Sequence, residues 1–95
     1  MIDKIKIGCC EYKIICEDMI DPEDSLGWIA HHEGVIHIRK GNSECVILLH
    51  EILHGIFKYI GTDDDEALIG ALSMNLWNLF INNPEFLNYI KQEIG

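Results

Sequence analysis

The sequence predicts an α+β domain. A small antiparallel sheet in the N-terminal half packs on a central helix, followed by a second helix and a short C-terminal one. Three observations carry that expectation. Residues 4–39 contain short runs rich in Ile, Val, Tyr and Trp, separated by glycines and turn residues. Residues 44–60 are apolar over a length that suits a helix and not a strand. Beyond them, helix-start signals recur at Thr62 and at Asn83-Pro84. Ninety-five residues fit a single minimal domain, 1–95, with one core.

Taken in order, Lys4-Ile5-Lys6-Ile7 alternates polar and apolar before Gly8, and residues 11–17 are a second β-rich run. Residues 18–25, with Asp21-Pro22 inside, read as a loop. Trp28-Ile29-Ala30 and Val35-Ile36-His37-Ile38-Arg39 read as two strands joined by a turn at 31–34. There Gly34 is free to take a positive φ. The pleat sends Ile36 and Ile38 to the core and Val35, His37 and Arg39 the other way.

Gly41-Asn42-Ser43 ends the sheet, with Asn42 or Ser43 placed to cap the next helix. That helix is expected from about 44 to 60, with Gly61 just beyond its end. Apolar residues surround it almost completely (Val46, Ile47, Leu49, Ile52, Leu53, Ile56, Phe57, Ile60), the pattern of a central, buried helix. Thr62 opens the second helix, with Asp65 three residues on, and the helix should reach residues 80–82. Asn83 as N-cap and Pro84 in the first turn start the last helix. It should carry Phe86, Leu87, Tyr89 and Ile90 back toward the core.

The central helix holds the most specific pattern in the chain, His50-Glu51-Ile52-Leu53-His54. Random placement of the five histidines and nine glutamates gives roughly 0.02 such H-E-x-x-H motifs, so chance is a poor account of it. Positions i and i+4 share a helix face, so both imidazoles can reach one ion. Zinc suits imidazole, and a catalytic zinc keeps one position open for water. Glu51, beside the first histidine, is placed to act as general base toward that water. The bland alternative is a pair of core histidines bonded to backbone carbonyls, which is costly on so apolar a helix.

A catalytic zinc takes three protein ligands. No histidine follows His54, and Phe57 stands where a longer three-histidine motif needs glycine. Glu66 is the favoured third ligand. It opens the next helix, and a short turn at Gly61-Thr62 brings that helix back alongside the first. Its face continues through Ile69, Gly70, Ser73 and Trp77, with small residues that allow close approach. Asp63 and Asp65 are the fallback ligands; otherwise the acidic run 63–66 complements the helix dipole. His37 and Tyr59 are candidates to stabilise an oxyanion. The pair His31-His32, in a turn, reads as exposed and inert.

The formal net charge of −9, with only seven Lys and Arg, argues against nucleic acid and anionic membranes as partners. No secretory signal is visible at the charged start, and no apolar run is long enough to span a bilayer, so a cytoplasmic location is expected. Cys9, Cys10, Cys16 and Cys45 read as free thiols acting as small hydrophobes, Cys45 buried. Nothing in the pattern specifies an oligomer.

These residues resemble a known family. The strands, Leu48-Leu49-His50-Glu51-Ile52-Leu53-His54-Gly55-Ile56, the short turn and the run D-E-A-L-I-G-A-L-S-M-N-L-W at 65–77 are similar to the ImmA/IrrE family of small zinc metallopeptidases. The likeness is strongest to compact members from phage and mobile elements and covers most of the chain from Gly27 onward. At Ala67-Leu68 the chain only loosely echoes the signature that follows the ligand in that family. The resemblance implies a minimal gluzincin-like site: one Zn2+ per chain on His50, His54 and Glu66, with Glu51 as general base and acid. It also implies a rim over the cleft formed by the hairpin at 28–39, where a protein or peptide substrate can add as a strand. A regulatory protein is the substrate that analogy suggests. The competing expectation is a non-proteolytic zinc-containing module that recognises a host or phage protein.

Overall fold

A computed structural model of the chain describes residues 2–18, 25–41 and 43–95. Four strands come first: β1 (Lys4–Ile7), β2 (Cys10–Glu17), β3 (Gly27–Ala30) and β4 (Val35–Arg39). Three helices follow: α1 (Glu44–Ile60), α2 (Glu66–Asn82) and α3 (Pro84–Ile94). The α+β class is as expected. Most of the loop expected at 18–25, and the candidate cap Asn42, lie outside the described residues.

The sheet is mixed, not wholly antiparallel. Its order is β1-β2-β4-β3, and the central pair β2 and β4 runs parallel between two antiparallel hairpins. Alternation in a sequence tells which residues share a face, but not which strand lies next door. Burial explains the order. Ile36 and Ile38 of β4 are both 0% exposed, so β4 belongs inside. β3, with Gly27 and a partly exposed Trp28, takes the edge. Gly34, at φ 67°, closes the β3–β4 turn as expected.

α1 lies across the sheet. Ile7, Tyr12, Ile14, Ile36 and Ile38 form the core of that layer, and Ile47, Leu48 and Ile52 of α1 pack against it. On its other flank α1 meets α2 through a second cluster, Leu53, Phe57 and Ile69. The rest of α1 faces water: Ile56, Tyr59, Ile60 and Cys45 are exposed. A helix buried all round is thus corrected to one covered on two flanks. Among the described elements, strands of the sheet and α2 are the ones that contact it.

The helix ends also differ in detail. Gly61 adopts the left-handed conformation, φ 75°, and the Thr62 N–H donates to the Phe57 carbonyl at 3.0 Å. This pairing closes α1, so Thr62 does not open α2. Asp65 does, accepting from the Leu68 N–H at 3.0 Å. Ser43 makes no side-chain cap bond, whereas Glu44 accepts from the Gly41 N–H at 3.1 Å. α3 starts at Asn83-Pro84 as expected but buries none of its residues, and α2 is the one element it touches. Its expected return to the core is corrected: α1 already covers the sheet, and α2 covers α1. Among the described residues no helix is long and apolar enough to cross a membrane.

Candidate metal centre

His50, Glu51 and His54 of α1 line an open cleft. His50 and His54 stand one turn apart with ring centroids 4.9 Å apart, and their Nε2 atoms are 3.2 Å apart. The five-residue link 61–65 brings α2 back antiparallel to α1, and its first residue, Glu66, reaches both rings. Its Oε1 lies 2.6 Å from His50 Nε2, and its Oε2 lies 2.8 Å from His54 Nε2. Gly70, one turn along α2, lies beside His50: a β-carbon there would stand 3.9 Å from its Cε1, an ordinary contact. Ser73, buried beside it, turns its hydroxyl onto the Gly70 carbonyl at 2.9 Å.

The donor set suits a cation. Asp64 Oδ1 lies 2.6 Å from His54 Nδ1, so a neutral His54 places its hydrogen there and leaves Nε2 as a bare lone pair. That lone pair faces a carboxylate oxygen of Glu66, an arrangement that only a shared proton or a metal ion relieves. Ligand atoms held tetrahedrally at zinc bond lengths sit about 3.3 Å apart. The Nε2–Nε2 distance of 3.2 Å matches, and the carboxylate need withdraw only slightly. His50, His54 and Glu66 are therefore positioned to bind a metal ion, with their ligand atoms all within 4.8 Å of one another.

No protein-family model, curated protein or solved structure matches the chain. Geometry and donor chemistry therefore carry its functional interpretation.

Glu51 is 6% exposed, the one buried acid of the described residues. Its carboxyl lies beside Gly27 of β3. A β-carbon on Gly27 would lie 3.4 Å from Glu51 Oε2 and 2.7 Å from Ile47 Cγ2, so only glycine leaves room there. Burial pushes the Glu51 carboxyl up to about 7; the His54 charge opposes this, and Glu66 and Asp64 add to it. An acid with a pKa near neutrality can both take and return a proton.

These groups line a cleft of about 690 Å3. One wall is β3 and its flanks (Leu26, Gly27, Trp28, Ile29), the floor is α1, and the far wall is Gly70, Ser73 and Met74 of α2. The size is typical of a small-molecule or peptide side-chain site. Of the fallback ligands, Asp65 caps α2, and neither it nor Asp63 joins the group.

Asp64 was hidden in the acidic run. A carboxylate on the far nitrogen of a ligand histidine is the usual way such a ring is oriented, but spacing alone does not reveal it. His37 leaves the site. It stacks on Trp28 at 4.5 Å with planes 7° apart, and its Nδ1 pairs with Glu17 at 2.9 Å. Tyr59 lies against Gly8 and is 53% exposed. His31, expected to be exposed, is partly buried and lines the cleft. The cysteines are free, but only Cys16 is partly buried; Cys9, Cys10 and Cys45 are exposed, correcting their expected role as small hydrophobes.

Proposed function

We propose that this chain is a zinc-dependent metalloendopeptidase acting on a protein or peptide substrate. The observation that carries the proposal is the convergence of His50, His54 and Glu66 on one point, beside a buried carboxyl at the floor of a cleft. Two imidazole nitrogens and one carboxylate leave a coordination position open, the donor set of a catalytic zinc. Zinc held there supplies Lewis acidity that polarises a carbonyl and acidifies water.

The chain's own residues do the rest. Glu51 takes a proton from the attacking water and delivers it to the leaving amine, the role its near-neutral pKa suits. Asp64 fixes the His54 tautomer so that Nε2 stays directed at the ion. β3, an edge strand forming one wall, offers backbone groups to an extended substrate segment. Similarity of the motif and the following helix to the ImmA/IrrE family supports the same chemistry and a cytoplasmic setting, where free cysteines persist.

A second reading is a zinc-containing binding module that recognises a protein without cleaving it. The apolar residues that α2 and α3 leave exposed, among them Leu79, Ile81 and Phe86, favour it. One experiment separates the two. Wild type should hold one zinc per chain and cleave denatured casein. Glu51→Gln should keep the zinc and lose cleavage by about 10²- to 10⁴-fold. Glu66→Gln should weaken zinc binding itself. Zinc binding without cleavage by wild type decides for the binding module.

A further inference from the structure

His31 follows edge strand β3, in the turn to β4, and lines the cleft. Its Nδ1 is 3.3 Å from the hydroxyl of Tyr12, which is 4% exposed and belongs to the core between sheet and α1. A hydroxyl hydrogen among hydrocarbon needs an acceptor, and the unprotonated nitrogen of a neutral imidazole is the one at hand. Tyr12 therefore donates to Nδ1, and the ring's hydrogen sits on Nε2, on the side turned away from the core. The two rings meet edge to face at 81°, which fixes the imidazole plane.

We propose that His31, held in this tautomer by Tyr12, donates from Nε2 to the scissile carbonyl oxygen as that oxygen takes up negative charge. The role rests on the peptidase reading. As water oxygen bonds to the carbonyl carbon, the C=O π pair moves onto oxygen, where the His31 N–H meets it. When that pair returns, the C–N bond breaks, and the amine leaves with the proton Glu51 carries. Such a donor acts in the transition state and scarcely in the ground state. Burial lowers the His31 pKa, and the Lys58 charge adds to this against Asp64, which keeps the ring neutral at pH 7. The two donors expected from the sequence are engaged elsewhere: His37 is stacked on Trp28 and paired with Glu17, and Tyr59 lies against Gly8. Tyr12 is a positioning residue, because it acts through His31.

The test uses the zinc-loaded full chain and three readouts: casein cleavage, affinity for an N-phosphoryl leucyl dipeptide, and affinity for acetohydroxamate. The phosphoryl oxygens mimic the tetrahedral oxyanion; the hydroxamate binds the ion without one. His31→Ala should keep one zinc per chain, lose about 100-fold in cleavage, and lose a similar factor for the phosphoryl dipeptide. Its hydroxamate affinity should stay within about 3-fold. His31→Gln, which keeps an N–H donor, should recover about 10-fold, and Tyr12→Phe should cost about 5-fold. Unchanged phosphoryl-dipeptide affinity in His31→Ala, or equal loss of both inhibitors, overturns the role while leaving the peptidase standing. If wild type binds hydroxamate but neither cleaves casein nor prefers the phosphoryl dipeptide, the peptidase and this role fall together.

Discussion

α1 has two seams, and they are built from different chemistry. Toward the sheet it packs branched aliphatic side chains against Ile36, Ile38 and Ile14. Toward α2 it keeps a short apolar patch at Leu53, Phe57 and Ile69, then opens into imidazoles, carboxylates and the small residues Gly70 and Ser73. The first seam supplies stability. The second leaves space for an ion and depends on the first to hold its geometry. Glu51 stands on the boundary, its carboxyl sunk toward the apolar side. The difference teaches that one helix can anchor a fold with one flank and present a group of candidate metal ligands on the other.

Four changes test this division, in descending order of effect. Ile36→Ala empties a fully buried position in the sheet seam and should cost about 4 kcal/mol in urea denaturation. Zinc affinity of the molecules that stay folded should be unchanged; a matching loss of affinity would mean the seams are not separable.

The next effect comes from Glu51. Its folded pKa is raised, so its contribution to stability is fully present below about 4.5 and is lost as pH rises through about 7. In metal-free protein, wild type should therefore lose on the order of 2 kcal/mol relative to Glu51→Gln between pH 5 and pH 8. Parallel pH profiles of the two proteins would show that the carboxyl is not buried as described.

Asp64→Asn touches only the α2 seam. It should weaken zinc binding about 10-fold by loosening the His54 tautomer. The melting temperature of the metal-free protein should not move, because Asp64 is mostly exposed. The smallest effect is Gly70→Ala. The added methyl makes an ordinary contact with His50, and alanine favours the helix, so stability should rise by about 0.5 kcal/mol with zinc binding intact. A loss of zinc there would show that the two helices tolerate no added atom.

Much of this was legible in the sequence, for local reasons. The limits of α1, the Gly61 stop, the β3–β4 turn at Gly34 and the inward pair Ile36 and Ile38 all follow from period and turn chemistry. So do His50, Glu51 and His54, because a helix fixes the relation of i to i+4. Glu66 was reachable because only a short link separates it from α1. What escaped depends on neighbours distant in sequence. The parallel β2–β4 pairing, the outlying position of α3 and the turn of His37 onto Trp28 are set by which surfaces remain uncovered. Asp64 was masked by three acidic neighbours, and His31 by sitting in a turn that only the strand order brings beside α1.

The parallel pairing at the centre of the sheet also bears on how the molecule is made. Lys13 must find Val35, and Glu17 must find Arg39, each 22 positions away. The β1–β2 and β3–β4 hairpins and the α1–α2 pair each close over shorter spans. Closing long loops is slow relative to local pairing. During synthesis the first hairpin must wait for β4, and the two histidines emerge from the ribosome before the glutamate that completes their set. The capacity to hold an ion is thus acquired late, after the sheet has a reason to close.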